Sequence, residues 1–399
     1  MNLFPIAALA GGLGGALGVA GEQHVLAGLV LGDALLPSLL SPPGPALSPQ
    51  HHPVMNMNIT IHQPNVPLIP SPLPPAGPAS HADKIIDQFL LLTRSTPWKL
   101  VEKIPFEGDT FEPEGLVRLG DSERYFVSAG EWTVPRSRAD SGGAGIPHLL
   151  IFNKDGRRLA DITLTSPSGQ AEEYHPGGID YDGTHLWLPL AQYRPASTAT
   201  VVRLGLETGP DGFPQMELVL RVEDHIGAVV HDTTTYGKLL GLTWGGRTAL
   251  SWRLQRRKWW CPWCRPPFAP PPAFTPPDGL VRNPSHFVDY QDCKFLGRSR
   301  RHGLRPVMLC SGIAELENRS RSGDRAGTKV VIGGVALVDI ESMVPLWEVP
   351  LTMKTGRGAL VTKNPMDVAV VDGRMRLYFL PDERNSTLYV YEPGLEDNE

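Results

Sequence analysis

One phrase recurs five times along this chain, and no other feature narrows the possible folds as far. It reads polar residue, usually Pro, any residue, usually Gly, then an apolar strand. The instances are Glu112-Pro-Glu-Gly115-Leu, His175-Pro-Gly-Gly178-Ile, Asp224-His-Ile-Gly227-Ala, Asn283-Pro-Ser-His286-Phe and Asn364-Pro-Met-Asp367-Val. Each opens a predicted hairpin: 115–119 with 125–129, 178–181 with 185–190, 228–231 with 239–244, 286–290 with 307–311, and 368–371 with 376–380. A second hairpin follows in most repeats, at 148–153 with 158–164, 201–206 with 216–222, and 335–340 with 344–351. Short apolar runs punctuated by Gly, Asp and Pro are strand patterning, and nothing helical separates them. Five repeats of four strands predict an all-β fold, a β-propeller of five four-stranded blades around a central channel. The repeats are unevenly spaced, and the longest interval, Asn283 to Asn364, leaves room for a sixth blade.

The chain ends supply a check. The last repeat shows only a third strand, 387–391, while an extra strand, 98–106, precedes the first repeat. Ring closure accounts for both, because the N-terminal strand then completes the last blade and leaves no open sheet edge at the seam. The propeller domain is therefore expected at 98–393, interrupted at 255–278 by a basic, aromatic and Pro-rich insertion on its outer rim. Ahead of it, 82–97 holds a short lead-in helix, with Ile85, Ile86, Phe89, Leu90 and Leu92 on one face and Pro97 as its stop. Residues 21–81 form a Pro-rich leader, whose prolines read as a mobile, extended linker over 41–80. Residues 1–20 read as a signal peptide: Phe4 to Ala20 is uncharged and ends in Gly18-Val19-Ala20. That run is at the short limit for a bilayer crossing and lacks flanking positive charge, so no stable membrane span is expected. Secretion is the resulting expectation, and Asn58, Asn318 and Asn385 each begin a glycosylation triplet.

The segments Tyr174-His-Pro-Gly-Gly-Ile-Asp-Tyr-Asp-Gly, Leu190-Ala-Gln-Tyr-Arg-Pro, Asp224-His-Ile-Gly-Ala-Val-Val-His and Asn283-Pro-Ser-His-Phe-Val-Asp-Tyr-Gln-Asp-Cys carry a resemblance. They are similar to an uncharacterised family of secreted propeller-like proteins of fungi and bacteria. The resemblance runs from about Asp87 to Tyr391 and implies the fold and export. It implies no activity, so no catalytic residue transfers from it.

Candidate chemistry follows from the repeat itself. The first position of the phrase holds Glu112, His175, Asp224, Asn283 and Asn364, and equivalent positions in a propeller form a ring at one mouth of the channel. Glu112, Asp224, Asn283 and Asn364 offer oxygen ligands to a divalent cation such as calcium, and His175 extends the choice to transition metals. Asp367 and His286 occupy the fourth position, and Gln192 lies in a loop on the same face. His175 and His286 are the acid–base candidates for a lactonase- or esterase-like hydrolase acting on a small polar ligand. The same polar residues also suit plain turns, since Asn-Pro and His-Pro start turns in many folds. A non-catalytic, glycan-binding or protein-binding scaffold is then the alternative, and a glycosidase would need a carboxylate pair drawn from Glu112, Asp224 and Asp367. A net charge of −5 spread over the whole chain argues against a nucleic-acid surface, which needs a basic face, and a monomer is expected. Cys261-Pro-Trp-Cys264 lacks the βαβ setting of a redox motif and a second pair for zinc. Cys293 and Cys310 sit on paired strands of one hairpin, where they form either a bridge or two buried small apolar residues.

Overall fold

The repeats fold into five antiparallel sheets, each begun by its innermost strand and built outward in chain order. A computed structural model describes residues 57–71, 73, 81–120, 124–135, 142–164, 172–208, 214–235, 237–254, 274–317 and 329–395. The expected signal peptide, the Cys261–Cys264 pair, Asn318 and residues 255–273 of the insertion lie outside the described residues. Blade 1 comprises Glu112–Leu119, Arg124–Val134, Ala144–Asn153 and Arg158–Leu164. Blade 2 comprises an inner strand in two pieces, His175–Pro176 and Asp180–Tyr181, then His185–Ala191, Ala199–Thr208 and Pro214–Val222. Blade 3 is Ala228–Asp232, Lys238–Leu242, Thr248–Arg253 and Gly279–Arg282. Blade 4 is Asp289–Ser299, Arg305–Glu317, Lys329–Asp339 and Pro345–Leu351. Blade 5 is Met366–Val371, Arg374–Phe379 and Thr387–Pro393, completed by Trp98–Pro105.

The seam closes as expected. Trp98 pairs with Pro393 and Pro105 with Thr387, so the early strand supplies the outermost ladder of the last blade. Packing gives the same answer independently of pairing, because five hydrophobic clusters fill the five gaps between adjacent blades. Phe126 and Leu149 meet Leu188 and Val202 between blades 1 and 2. Val201 and Leu220 meet Val229 and Trp252 between blades 2 and 3, and Val230 and Leu240 meet Met308 and Val338 between blades 3 and 4. Leu309 and Leu337 meet Leu377 and Tyr391 between blades 4 and 5. Tyr378 and Val390 meet Tyr125 and Phe152 between blades 5 and 1. Each sheet thus buries both faces, which is why its strands read as apolar runs rather than as strict alternation.

Three details depart from the sequence reading. Among the described residues of the Asn283–Asn364 interval there is no sixth blade; blade 4 takes up the length with strands of 11, 13 and 11 residues. Its inner strand starts at Asp289, not at His286, and two register shifts, at Tyr290/Asp292 and Phe295/Gly297, displace it from the pairing that the repeat implied. Within the leader, Met57–Ile61 is a fifth strand on the outer edge of blade 1, paired from Met57↔Leu164 to Ile61↔Ala160. The lead-in helix spans Ala82–Phe89. Ile85, Ile86, Phe89 and Leu92 are fully buried in the cluster between blades 4 and 5. Gln88 fixes the helix by donating to the Gly373 carbonyl (3.0 Å) and accepting from the Met375 amide (2.8 Å).

The axis is closed rather than open. Blades 2 and 3 approach so closely that their inner strands share hydrogen bonds, Gly178 N–H to Gly227 O (2.8 Å) and Val229 N–H to Gly178 O (3.1 Å). Only glycine fits here: a Cβ on Gly177 would stand 2.1 Å from Gly227 O, and one on Gly178 would stand 2.5 Å from an Asp292 carboxylate oxygen. Beside these glycines lies a polar hub made of Asp180, Asp292, Lys294 and Asp367, none more than 2% exposed. Lys294 Nζ donates to Asp292 Oδ1 (2.5 Å) and to Ile179 O (2.6 Å). Asp292 Oδ2 accepts from the Leu116 and Met366 amides, Asp367 Oδ2 from the Arg118 amide, and Asp180 Oδ2 from the His231 amide. The hub therefore ties all five inner strands together. The mouth above the hub lies on the side where each inner strand begins.

Candidate functional site

The mouth is built from the first residues of the inner strands of blades 1 and 2. Glu112 pairs with Gly130 and Pro113 with Ala129, but the next pair is Gly115 with Ser128. Glu114 is the extra residue of a bulge, the device by which a strand re-aims a side chain. His175 pairs with Ala191 at the start of the neighbouring inner strand. One ligating atom from each of Glu112, Glu114 and His175 falls within 4.8 Å of the others, and all three residues are buried. His175 Nε2 stands 3.8 Å from Glu114 Oε1. Two carboxylates and an imidazole, all buried, are donor types that could hold a divalent cation.

Aromatic rings wall the trio on the blade 2 and blade 3 side. His175 meets Tyr193 edge-on at 4.8 Å between centroids, and Tyr193 meets Trp244 edge-on at 5.3 Å. Trp244 packs at 4.7 Å against His225, whose ring lies 6.1 Å from that of His175. His225 Nδ1 lies 2.9 Å from the Gln192 carbonyl, which only accepts, so Nδ1 carries the proton and Nε2 the lone pair. Burial, reinforced by His175, pulls its pKa down to about 3 and leaves it neutral. On the other side, Phe111 adopts a left-handed backbone (φ 53°) immediately before Glu112 and stacks on His148 at 4.2 Å. His148 is buried between Asp161 (Nδ1 to Oδ1, 2.8 Å) and Glu131 (Nε2 to Oε2, 3.5 Å).

The remaining residues singled out in the sequence go elsewhere. Asn283 donates to the Gly246 carbonyl (3.0 Å) and accepts from the Ser285 amide (2.9 Å), and Asn364 donates to the Pro381 carbonyl (3.1 Å). Both close turns at the rim. Asp224 accepts from the His225 amide (2.7 Å) and faces a side groove lined by Val222, Leu250, Phe274 and Pro276. Burial raises its pKa. Asp367 belongs to the hub. His286 is exposed on the rim, with Nδ1 3.0 Å from Arg247 Nη1. The Gln192 side chain donates to Glu172 and accepts from Arg194, while its carbonyl holds His225. Of the expected ring, Glu112 and His175 converge. Glu114 and His225 are the neighbours that the repeat did not single out as ligands, because the bulge and the ring packing depend on register.

In the hub, burial outweighs the attraction of Lys294 and pushes Asp180 up to about 8 and Asp292 up to about 7, with Asp367 also raised. Cys293 and Cys310 lie directly opposite on blade 4, 4.1 Å apart at Cα, and form a disulfide beside this hub. Among the described residues no helix is long and apolar enough to cross a membrane.

No curated protein matches the sequence. Among solved structures the chain is similar to Raptor of Chaetomium thermophilum, with 11% sequence identity and a TM-score of 0.35. The match covers 79% of this chain and 31% of that one, so the chain spans about a third of that protein. A family of unknown function, DUF6454, matches residues 73–397, and the chain belongs to that family.

Proposed function

We propose that this propeller binds a divalent cation at its mouth through Glu112, Glu114 and His175, and uses the ion to engage a small polar ligand. The observation that carries the reading is the convergence of the three buried donors within 4.8 Å on two different blades. A cation held by three side chains keeps positions open for a ligand carbonyl or hydroxyl, and hydrolysis of an ester or lactone is the chemistry such an ion supplies. The half-buried rings of Tyr193 and Trp244 give the ligand an apolar wall. Elemental analysis of the purified full-length protein tests this. About one equivalent of a divalent metal per chain is expected, and it is lost in Glu114→Gln and His175→Gln. Metal-free wild-type protein that takes up no ion on dialysis against divalent salts overturns the reading.

Action outside the cell accompanies this reading. Its support is the buried Cys293–Cys310 bridge, since such bridges persist in oxidising compartments. Asn58 and Asn385 are exposed and open to glycosylation. Expression through a secretory pathway, followed by glycosidase treatment and intact mass, reads both points.

A docking scaffold is the second reading, and one observation favours it. The second and third strands of blades 1 and 4 extend past the mouth as long hairpins carrying exposed Trp132, Val134 and Ile146 on one, and Leu316, Val330 and Val331 on the other.

A further inference from the structure

The geometry points to His225 as a fourth ligand of the same ion, which makes the site a two-histidine, two-glutamate centre for a transition metal such as zinc rather than for calcium. This rests on the reading of Glu112, Glu114 and His175 as a cation site, and adds a residue from a third blade.

The first ground is hydrogen bonding. A metal-bound histidine characteristically donates its other ring N–H to a carbonyl or carboxylate, which fixes the tautomer and turns the lone pair to the ion. His225 has this arrangement already, with Nδ1–H on the Gln192 carbonyl at 2.9 Å. The second ground is distance. A zinc–nitrogen bond is about 2.1 Å and the ring centre lies about 1.1 Å further on, so two imidazoles on one ion stand about 5.2 Å apart at the tetrahedral angle and about 6.4 Å apart only when trans. The His175 and His225 centroids are 6.1 Å apart, so the rings close by about 1 Å when both hold a four-coordinate ion. The third ground is rigidity. Trp244 packs edge-on at 4.7 Å against His225, and His225 itself is only 3% exposed.

The donor set then decides the metal. Calcium takes six to eight oxygen ligands, and two imidazoles displace the oxygens it needs. Zinc and its neighbours in the first transition row accept nitrogen and carboxylate oxygen together in four-coordinate sites. Four protein ligands also leave fewer open positions than three, so an organic ligand enters by expanding the coordination sphere.

The test is a titration of metal-stripped full-length protein with zinc, cobalt and calcium chlorides, comparing wild type, His225→Ala and His225→Gln. The glutamine variant keeps an amide donor for the Gln192 carbonyl and guards against misfolding of the alanine variant. Wild type is expected to prefer zinc to calcium, and both variants to lose at least ~10-fold in zinc affinity, as much as an outer partner of a ligand costs. The visible absorption of the cobalt form should change in band position and intensity in the variants. Equal zinc affinity and an unchanged cobalt spectrum across all three proteins overturn the role of His225 while leaving the three-residue site standing. A wild-type protein that binds none of the three ions overturns both.

Discussion

Removing the ammonium from the axial hub is the sharpest perturbation that this structure offers. Lys294 is the only cation among the four hub residues and is 1% exposed, bonded at 2.5 Å to Asp292 and at 2.6 Å to the Ile179 carbonyl. Lys294→Met keeps the length of the side chain but leaves the buried Asp180 and Asp292 without their counter-charge, with Arg118 still acting on Asp367. Breaking a buried pair by deleting one partner costs about 3–5 kcal/mol, because the survivor stays desolvated. For a domain of roughly 200 residues or more, about 2–4 °C of Tm accompanies each kcal/mol, so the expected drop near pH 8 is on the order of 10 °C. The carboxyl groups escape the penalty by taking up protons, so the deficit shrinks in acid to that of the lost hydrogen bonds, about 1–3 kcal/mol near pH 5. Thermal unfolding followed by circular dichroism at both pH values reads the difference. A drop below about 2 °C near pH 8, or one of equal size at both pH values, refutes the electrostatic reasoning.

The wild-type protein carries the same signature more weakly. Asp180 and Asp292 titrate higher in the folded chain than unfolded, so the native state holds extra protons between about pH 4 and pH 8 and stability falls as pH rises through that window. Thermal midpoints that rise steadily from pH 5 to pH 8 would contradict it. Gly177→Ala sets a Cβ 2.1 Å from the Gly227 carbonyl, where only backbone can yield, and should cost at least about 2 kcal/mol in urea unfolding. A neutral substitution would mean that the inner strands of blades 2 and 3 are not in contact. The Cys293–Cys310 bridge closes a 17-residue separation, and replacing both cysteines by alanine should cost about 3 kcal/mol, read by the same assay.

The repeated phrase made the blades and the closing strand legible, because turn residues and apolar runs report on local pairing. The bridge between Cys293 and Cys310 was within reach for the same reason, as both lie on one hairpin. The site was only half legible. Glu112 and His175 share a repeat position, but Glu114 reaches them through a bulge that no periodicity announces. Asn283 and Asn364 occupy the same position in the phrase, yet their side chains close turns. The hub escaped notice although Asp292 and Lys294 alternate within an apolar strand, since alternation tells which face a side chain shares and not which strand stands opposite. Met57–Ile61 was hidden by the prolines on either side of a strand of five residues.

The central claim is that Glu112, Glu114 and His175 enclose a metal ion, and anomalous diffraction tests it most directly. Crystals of the full-length protein soaked in a zinc salt, with data collected above and below the zinc edge, should show one strong difference peak about 2.0–2.2 Å from His175 Nε2 and from oxygens of both glutamates. A map with no peak among these three residues, or with zinc only at surface histidines such as His286, would contradict the account.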